Sequence, residues 1–501
     1  MKRIHLIAVV SLVLVTIVLF SWYVFHGDIF FTSDIARDFW LIREVSEKKL
    51  MLIGPRSSGD LYHGPLWSYL NWPAYAIGGG DPVVVGWYWV LLAFLVTIVS
   101  YFVGKSLFNR TVGVAYALMV SLYLSFHTRA LANPHGAMFF LPLWFFLFVR
   151  YLQKKNIVYL AGHIFLSGII TQFQLAVGIP FSILSAVALI PSIIKTKQYR
   201  HLAAFLLLPL SLSNFVVFDL RHNHLLWNKV IAFITPHTDQ GIFNYFFYIS
   251  DRVFLLFTNT EILRRDPGMR NIALFISMLI LVGIQIRDKK YVTFYLSFLY
   301  FYAGFFILSF IDKGPILYYH LYPLFLWVFL VFCSLFTSRY KTAFLVLFAV
   351  IYTFNLSNSV ADARDSTGFI GQNKASWKSL SDIARAVYED APEEFGYFVY
   401  APDVMAYEPK YAMSFIGKQY PTKTGYSFTK LPVTYLVIQP PPHGNPYMKD
   451  EWWRVNQVEI TKEPEDTVTF ANGYKIEKYF LTGEEQSVPF DPAIDPGLHF
   501  R

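Results

Sequence analysis

The chain has 501 residues, of which 55% are hydrophobic, 19% aromatic and only 15% charged; Lys and Arg number 42 against 34 Asp and Glu, a formal net charge of +8. That balance excludes an ordinary soluble domain and points to a polytopic membrane protein. The single cysteine, Cys333, excludes an intrachain disulfide and a thiolate metal cluster, and the absence of any basic stripe or motif argues against nucleic acid as partner.

Crossing a bilayer core takes about 20 apolar residues of helix, fewer where a span is tilted or abuts a re-entrant segment. The sequence predicts spans at Ile4–Phe25, Pro82–Leu107, Val112–Phe126, Ala137–Val149, Ile157–Ile170 and Phe173–Ile194, then at Leu202–Phe218, Ile272–Ile286, Tyr291–Ile311, Ile316–Phe336 and Ala343–Leu356. That makes about eleven helices. The first reads as a retained helix rather than a signal peptide, because no small-residue cleavage site follows Phe25.

Basic residues fall in every second gap between these spans: Lys2 and Arg3, Lys105 and Arg110, Arg150 with Lys154 and Lys155, and Lys195 with Lys197 and Arg200. The series continues at Arg287, Lys289 and Lys290, and at Arg339 and Lys341. Positively charged turns stay in the cytoplasm. The expected topology is therefore a multi-pass protein of the plasma (inner) membrane, with a cytoplasmic amino end and its long polar loops outside. Those loops are 26–81, 219–270 and the region after Asn358, and loops of that length are usually functional. Residues 1–357 are expected to form a transmembrane catalytic domain, and residues 358–501 a small extracytoplasmic α/β domain. In the latter, Phe395–Tyr400 and Thr434–Ile438 read as buried strands with a helix at Tyr407–Gln419 between them. Asn472-Gly473, separating Thr467–Phe470 from Tyr474–Phe480, signals a type I′ hairpin.

The first external loop holds the sharpest constellation, Ser33-Asp34-Ile35-Ala36-Arg37-Asp38. Ser33 can cap a helix that carries Asp34 in its first turn and Asp38 one turn on. Two carboxylates there suit a general base, a divalent-cation site or both, and Arg37 suits a phosphate; the bland reading is a solvated helix whose charges offset one another. Gly54-Pro55-Arg56-Ser57-Ser58-Gly59 is too irregular for a P-loop and reads as a flexible turn. His63 follows in His63-Gly64-Pro65-Leu66, either as a structural interfacial histidine or as a ligand-binding one. Gln172 and Gln174, between the fifth and sixth spans, suit either a sugar or the plain satisfaction of helix ends.

An acid in the first external loop, followed by a Pro-containing motif that leads into an aromatic stretch, resembles the polyprenyl-phosphate-dependent glycosyltransferases of the GT-C superfamily. The resemblance is to family 39 and its bacterial relatives, the protein O-mannosyltransferases and lipid A aminoarabinose transferases among them, and it covers roughly the first 330 residues. The family's Asp-Glu pair falls on Asp34 and Ile35, so one acid of the two is kept. Its Lys-Pro-Pro-Leu motif falls on His63-Gly64-Pro65-Leu66, with histidine in the cationic place. The acid often found after the third span falls on Asn133, within Arg129-Ala130-Leu131-Ala132-Asn133-Pro134-His135.

The resemblance implies a GT-C-like fold and an inverting hexosyl- or pentosyltransferase acting outside the membrane. The donor would be a polyprenyl-phosphate-linked sugar and the acceptor a hydroxyl of a protein, lipid or glycan. Asp34 would be the base, with Asp38 beside it and a divalent cation as a candidate cofactor at the pair. Donor-phosphate contacts would come from Arg37, Arg56, His63, Arg129, Arg221, His222, Lys313 and His320. The rival readings are a transporter or flippase of lipid-linked sugars, a glycan polymerase or ligase, and a non-catalytic scaffold. A transporter would bury ionisable residues at mid-membrane, where these spans are nearly free of them.

Overall fold

The computed structural model describes residues 2–48, 50–57, 61–234, 242–258, 260–264, 268–311, 316–367, 373–403, 405–441, 449–495 and 497. Two compact units emerge: one comprises Met1–Phe20, Lys48–Leu70 and Trp89–Asp362, the other Ser21–Glu47, Asn71–Tyr88 and Ala363–Arg501. The expected domain boundary at 357/358 falls inside a continuous helix, Lys341–Thr367. The expected loop 26–81 is shared between the two units.

The first unit is a helical membrane bundle. Every one of the expected spans falls on a helix, but they are not equal. Among the described residues, seven helices are long and apolar enough to cross a bilayer, and the pair Tyr199–Ser211 and Ser213–Arg221, bent by 49° at its break, makes up to eight. Val10–Phe20 and Ile157–Phe173 are apolar but shorter, and Arg110–His127 has 18 residues with a charged residue and a histidine at its ends. Helix Tyr318–Thr337 is the most buried of the spans at 89%, and it packs against Asn133–Lys154 and Arg110–His127. Its Trp327 lies among Phe145, Phe181 and Phe298, with ring centroids 4.8 to 5.7 Å apart. In contrast, Leu91, Leu95 and Phe102 on Pro82–Leu107 are exposed, as side chains that meet lipid would be.

Polar clamps hold the segment Thr260–Arg264 against two helices. Asn355 accepts from Arg264 N at 2.9 Å and donates to the Ile262 carbonyl at 2.8 Å. Asn271 treats Leu263 the same way, at 2.9 and 2.8 Å. Arg264 then pairs with Asp362, both side chains being under a tenth exposed.

The second unit contains a five-stranded sheet in the order β2-β1-β3-β5-β4. Its strands are β1 Glu394–Tyr400, β2 Thr424–Ser427, β3 Val433–Ile438, β4 Asp466–Thr469 and β5 Lys475–Phe480. β1 runs parallel to β2 and β3, while β5 is antiparallel to β3 and β4. The sequence pattern located β1, β3 and the hairpin, but β2 is short and mostly exposed and left no apolar run to read. The hairpin turn is not type I′. Of its residues only Gly473 has a positive φ, at +85°, and the bonds Gly473 N to Phe470 O and Phe470 N to Tyr474 O close a three-residue loop.

Removing one partner of a buried ion pair strands the other charge, a cost of about 3–5 kcal/mol. Asp362→Ala should therefore lower the thermal midpoint of the detergent-solubilised protein markedly, and Arg264→Met in the same chain should restore much of it. A single variant melting like wild type would show that the pair carries no such weight.

Candidate functional site

Helix Ser33–Lys48 lies in the second unit and buries Ile35, Ala36, Phe39 and Trp40. Phe31, Phe39 and Trp40 each approach the Tyr411 ring at 5.3 to 5.5 Å. Trp40 Nε1 donates to the Tyr407 carbonyl at 3.3 Å, and Arg43 donates to Ser414 Oγ at 3.1 Å. The helix is packed on one face, while Arg37 pairs with both acids and Arg43 with Glu47, as the bland reading of offsetting charges also expects. Ser33 is its first helical residue rather than its cap. Thr32 precedes it and accepts from Ala36 N, and the Ser33 hydroxyl donates to Asp403 Oδ2 at 2.6 Å.

Arg37 joins the two acids, at 2.8 Å from Asp34 Oδ1 and 3.0 Å from Asp38 Oδ1. Burial alone would lower the guanidinium's pKa, but Asp38 and then Asp34 hold it above the ordinary value. The acids differ in access: the Asp34 side chain is 72% exposed and that of Asp38 only 4%. Asp34 can therefore meet a substrate while Asp38 anchors the arginine.

Two further acids belong to this surface and escaped the sequence reading. Asp403 follows β1, and Glu408 sits in the first turn of helix Tyr407–Gly417. Glu408 Oε2 is buried without a hydrogen-bond partner. Burial is the main reason its pKa rises from 4.5 to about 7; its own backbone N–H opposes the rise, Asp403 and Asp34 add to it, and Lys374 pulls the other way. The available signal was positional, since loops at the carboxyl ends of parallel strands commonly hold ligands. For a divalent cation the fit is poor. Asp34 and Asp38 already share a guanidinium, and among the described residues no group of three or more His, Cys, Asp or Glu could hold a metal ion.

The first unit holds a cavity of about 170 Å³. Leu175, Ile179, Pro180 and Ile183 wall it from one helix and Phe305 and Leu308 from another, while His63, Gln174 and His320 are among its few polar residues. Of the tract expected to be a flexible turn, residues 54–57 pair with 61–63, while Ser58 and Gly59 lie outside the described residues. Gly54 N donates to His63 O at 2.8 Å and His63 N to Pro55 O at 3.0 Å, and Arg56 bridges Tyr62. Gly64 N then donates to the Gln172 carbonyl at 2.8 Å.

Of the sequence-predicted phosphate residues, His63 and His320 meet at this cavity from positions far apart in the chain. Arg56, Arg129, Arg221 and His222 do not line it. Arg56 and Arg221 are exposed, Arg129 lies 3.8 Å over the Phe126 ring, and His222 folds back to the Phe218 carbonyl at 2.8 Å. Lys313 lies outside the described residues.

No protein-family model and no curated protein matches the sequence. Solved structures do match the fold. The crystal structure of ArnT from Cupriavidus metallidurans in the apo state aligns over 95% of this chain and 98% of that one, with a TM-score of 0.57 and 10% identity. The same protein bound to undecaprenyl phosphate aligns over the same shares at a TM-score of 0.55 and 11% identity. An oligosaccharyltransferase from Archaeoglobus fulgidus, in complex with zinc and sulfate, aligns over 83% of this chain and 62% of its own at a TM-score of only 0.43 and 11% identity. The chain thus shares the fold of ArnT, and its second unit carries the five-stranded sheet.

Glu408 binds its proton more tightly folded, near 7, than unfolded, near 4.5. Its stabilising contribution is complete below the lower value and is lost as pH rises through the upper one. Thermal unfolding between pH 5 and 8 should show Glu408→Gln melting like wild type at pH 5 and above it at pH 8. Parallel curves would contradict the assignment.

Proposed function

We propose that this protein is a membrane glycosyltransferase that takes a sugar from a polyprenyl-phosphate carrier at the extracytoplasmic face of the inner membrane and passes it to an acceptor hydroxyl. The observation that carries the reading is the cavity, which has aliphatic and aromatic walls along two membrane helices and imidazoles and an amide among its few polar residues. A lipid phosphate has the same division of character. ArnT, whose fold the chain shares, was solved bound to undecaprenyl phosphate.

In this reading the prenyl chain takes the apolar wall, and His63 and His320 donate to the phosphate. Hydrogen bonds from protonated imidazoles to phosphate oxygens are charge-assisted and stronger than neutral ones. A general base takes the proton from the acceptor hydroxyl as that oxygen bonds to the anomeric carbon, and Asp34 is the candidate for that role that the family resemblance implies. The bond from that carbon to the phosphate oxygen breaks, and the polyprenyl phosphate departs with the electron pair. Attack opposite the leaving group inverts the anomeric centre. Arg37, 2.8 Å from Asp34 Oδ1, orients that carboxylate. The acceptor is a protein, lipid or glycan hydroxyl.

General-base catalysis contributes about 10²–10⁴-fold. Asp34→Asn should slow release of polyprenyl phosphate from its sugar conjugates by that order, with affinity for the free lipid phosphate unchanged; near wild-type turnover would remove the base. His63→Ala and His320→Ala should each weaken binding of undecaprenyl phosphate by roughly 10–100-fold, the worth of a charged hydrogen bond. Unaltered binding in both would remove the cavity as the donor site.

A further inference from the structure

Helix Leu175–Lys195 begins at the cavity, and its first turn leaves donors unused. The first four N–H groups of an α-helix have no partner within it. Here those of Val177 and Gly178 turn back to the Gln174 carbonyl, at 3.3 and 2.9 Å. Those of Leu175 and Ala176 find no acceptor among the described residues. Gln174 occupies the N-cap position, where a polar side chain commonly bonds such an N–H, yet it makes no such bond. It is only 1% exposed, and its Nε2 has no hydrogen-bond partner among the described residues. Buried polar groups are nearly always paired, so donors left over together at one turn point to an acceptor from outside the chain. Gln174, Leu175 and Ala176 all line the cavity.

Neighbouring elements fix this turn in place. A Cβ at Gly178 would lie 2.2 Å from Thr171 Cα and 2.5 Å from its nitrogen, so glycine lets the first turn close on the preceding helix. Asn133 Nδ2 donates to the Phe173 carbonyl at 2.7 Å. Gly64 N donates to the Gln172 carbonyl at 2.8 Å, and His63, the residue before it, lines the same cavity. A helix N-terminus carries roughly half a positive charge and aims its N–H groups outward, a disposition that suits phosphate. Further along, Ile179 and Ile183 repeat the position of Leu175 turn by turn on one helix face, and both wall the cavity.

We infer that the amino end of helix Leu175–Lys195 seats the donor's phosphate: the N–H groups of Leu175 and Ala176 and the Gln174 amide bond its oxygens, and the prenyl chain follows Ile179 and Ile183 along the same helix. The inference rests on the cavity being the donor site, and it adds backbone and an uncharged side chain to the two histidines there. As the bond from the anomeric carbon to the phosphate oxygen breaks, that oxygen keeps the electron pair and the phosphate gains negative charge. Donors already in position stabilise that charge without having to reorganise.

The test compares binding of undecaprenyl phosphate with that of undecaprenol, which lacks the phosphate, on the full-length protein in detergent. Wild type should prefer the phosphate. Gln174→Met, which keeps the side-chain length and removes the amide, should cut that preference about tenfold, the worth of a hydrogen bond to a charged group. Leu175→Pro should do the same by removing one N–H. Proline is tolerated at the first helical position, and Gln174 before it is already extended, at φ −148° and ψ 103°, as a residue preceding proline prefers. Leu175→Ala trims the same wall but keeps the N–H, so it should alter both lipids alike and leave the preference intact. An equimolar amount of inorganic phosphate should not displace the lipid phosphate. Full preference retained by Gln174→Met or by a folded Leu175→Pro, preference lost equally in Leu175→Ala, or displacement by inorganic phosphate would overturn the inference while the donor site stands. Failure of wild type to bind undecaprenyl phosphate, or to prefer it over the alcohol, would instead overturn the donor-site reading, and this inference with it.

Discussion

The seam between Gly54, Gly64 and Gln172 is the contact on which the cavity depends. A Cβ at Gly64 would lie 2.4 Å from Gln172 Oε1 and 2.7 Å from its Cβ, and one at Gly54 would lie 2.3 Å from the Gly64 carbonyl oxygen. Only glycine permits the hairpin to close on the helix end, and that closure allows Gly64 N to bond the Gln172 carbonyl. Two consequences follow. His63, the residue before Gly64, is carried into the cavity wall, and the Gln172–Gln174 corner is covered, so its amides lose water as a partner.

The first turns of helix Tyr318–Ser334 sort side chains in a similar way. Residues four apart share a helix face, and one two apart from each points elsewhere. Tyr318 bonds Glu261 and Tyr322 stacks near His127 and His135, while His320 between them lines the cavity. The clamped segment Thr260–Arg264 thus fixes the start of the helix that delivers a cavity residue. Burial raises the pKa of Glu261 above the ordinary value, with its bond from Tyr318 and the charge of Arg264 opposing the rise.

What the sequence revealed follows from how local each signal is. Apolar length placed a helix at every expected span, because lipid forces the backbone to satisfy itself within the segment. Buried apolar runs found β1 and β3 and alternation found the β4–β5 hairpin, whereas Arg37, expected to hold a phosphate, pairs with Asp34 and Asp38 instead. Convergence was invisible. Nothing in the local pattern joins Ser33 to Asp403, or His63 to His320, since those pairings are made by the fold. Arg129, read from the sequence as a phosphate ligand, lies over the ring of Phe126 and away from the cavity lining.

The places where this chain departs from the glycosyltransferases it resembles share a direction. A family lysine has become His63 and a frequent acid has become Asn133, so at both positions a permanent charge gives way to a group that can be neutral. In a low-dielectric pocket that exchange matters, because an empty charged site carries a desolvation cost that a neutral one avoids. An imidazole can donate a hydrogen bond to an anion without carrying a fixed charge of its own. An amide can pair with hydroxyls without any charge at all. On the proposed reading, the donor's phosphate brings a fixed charge to the cavity, and imidazole and amide groups meet it there.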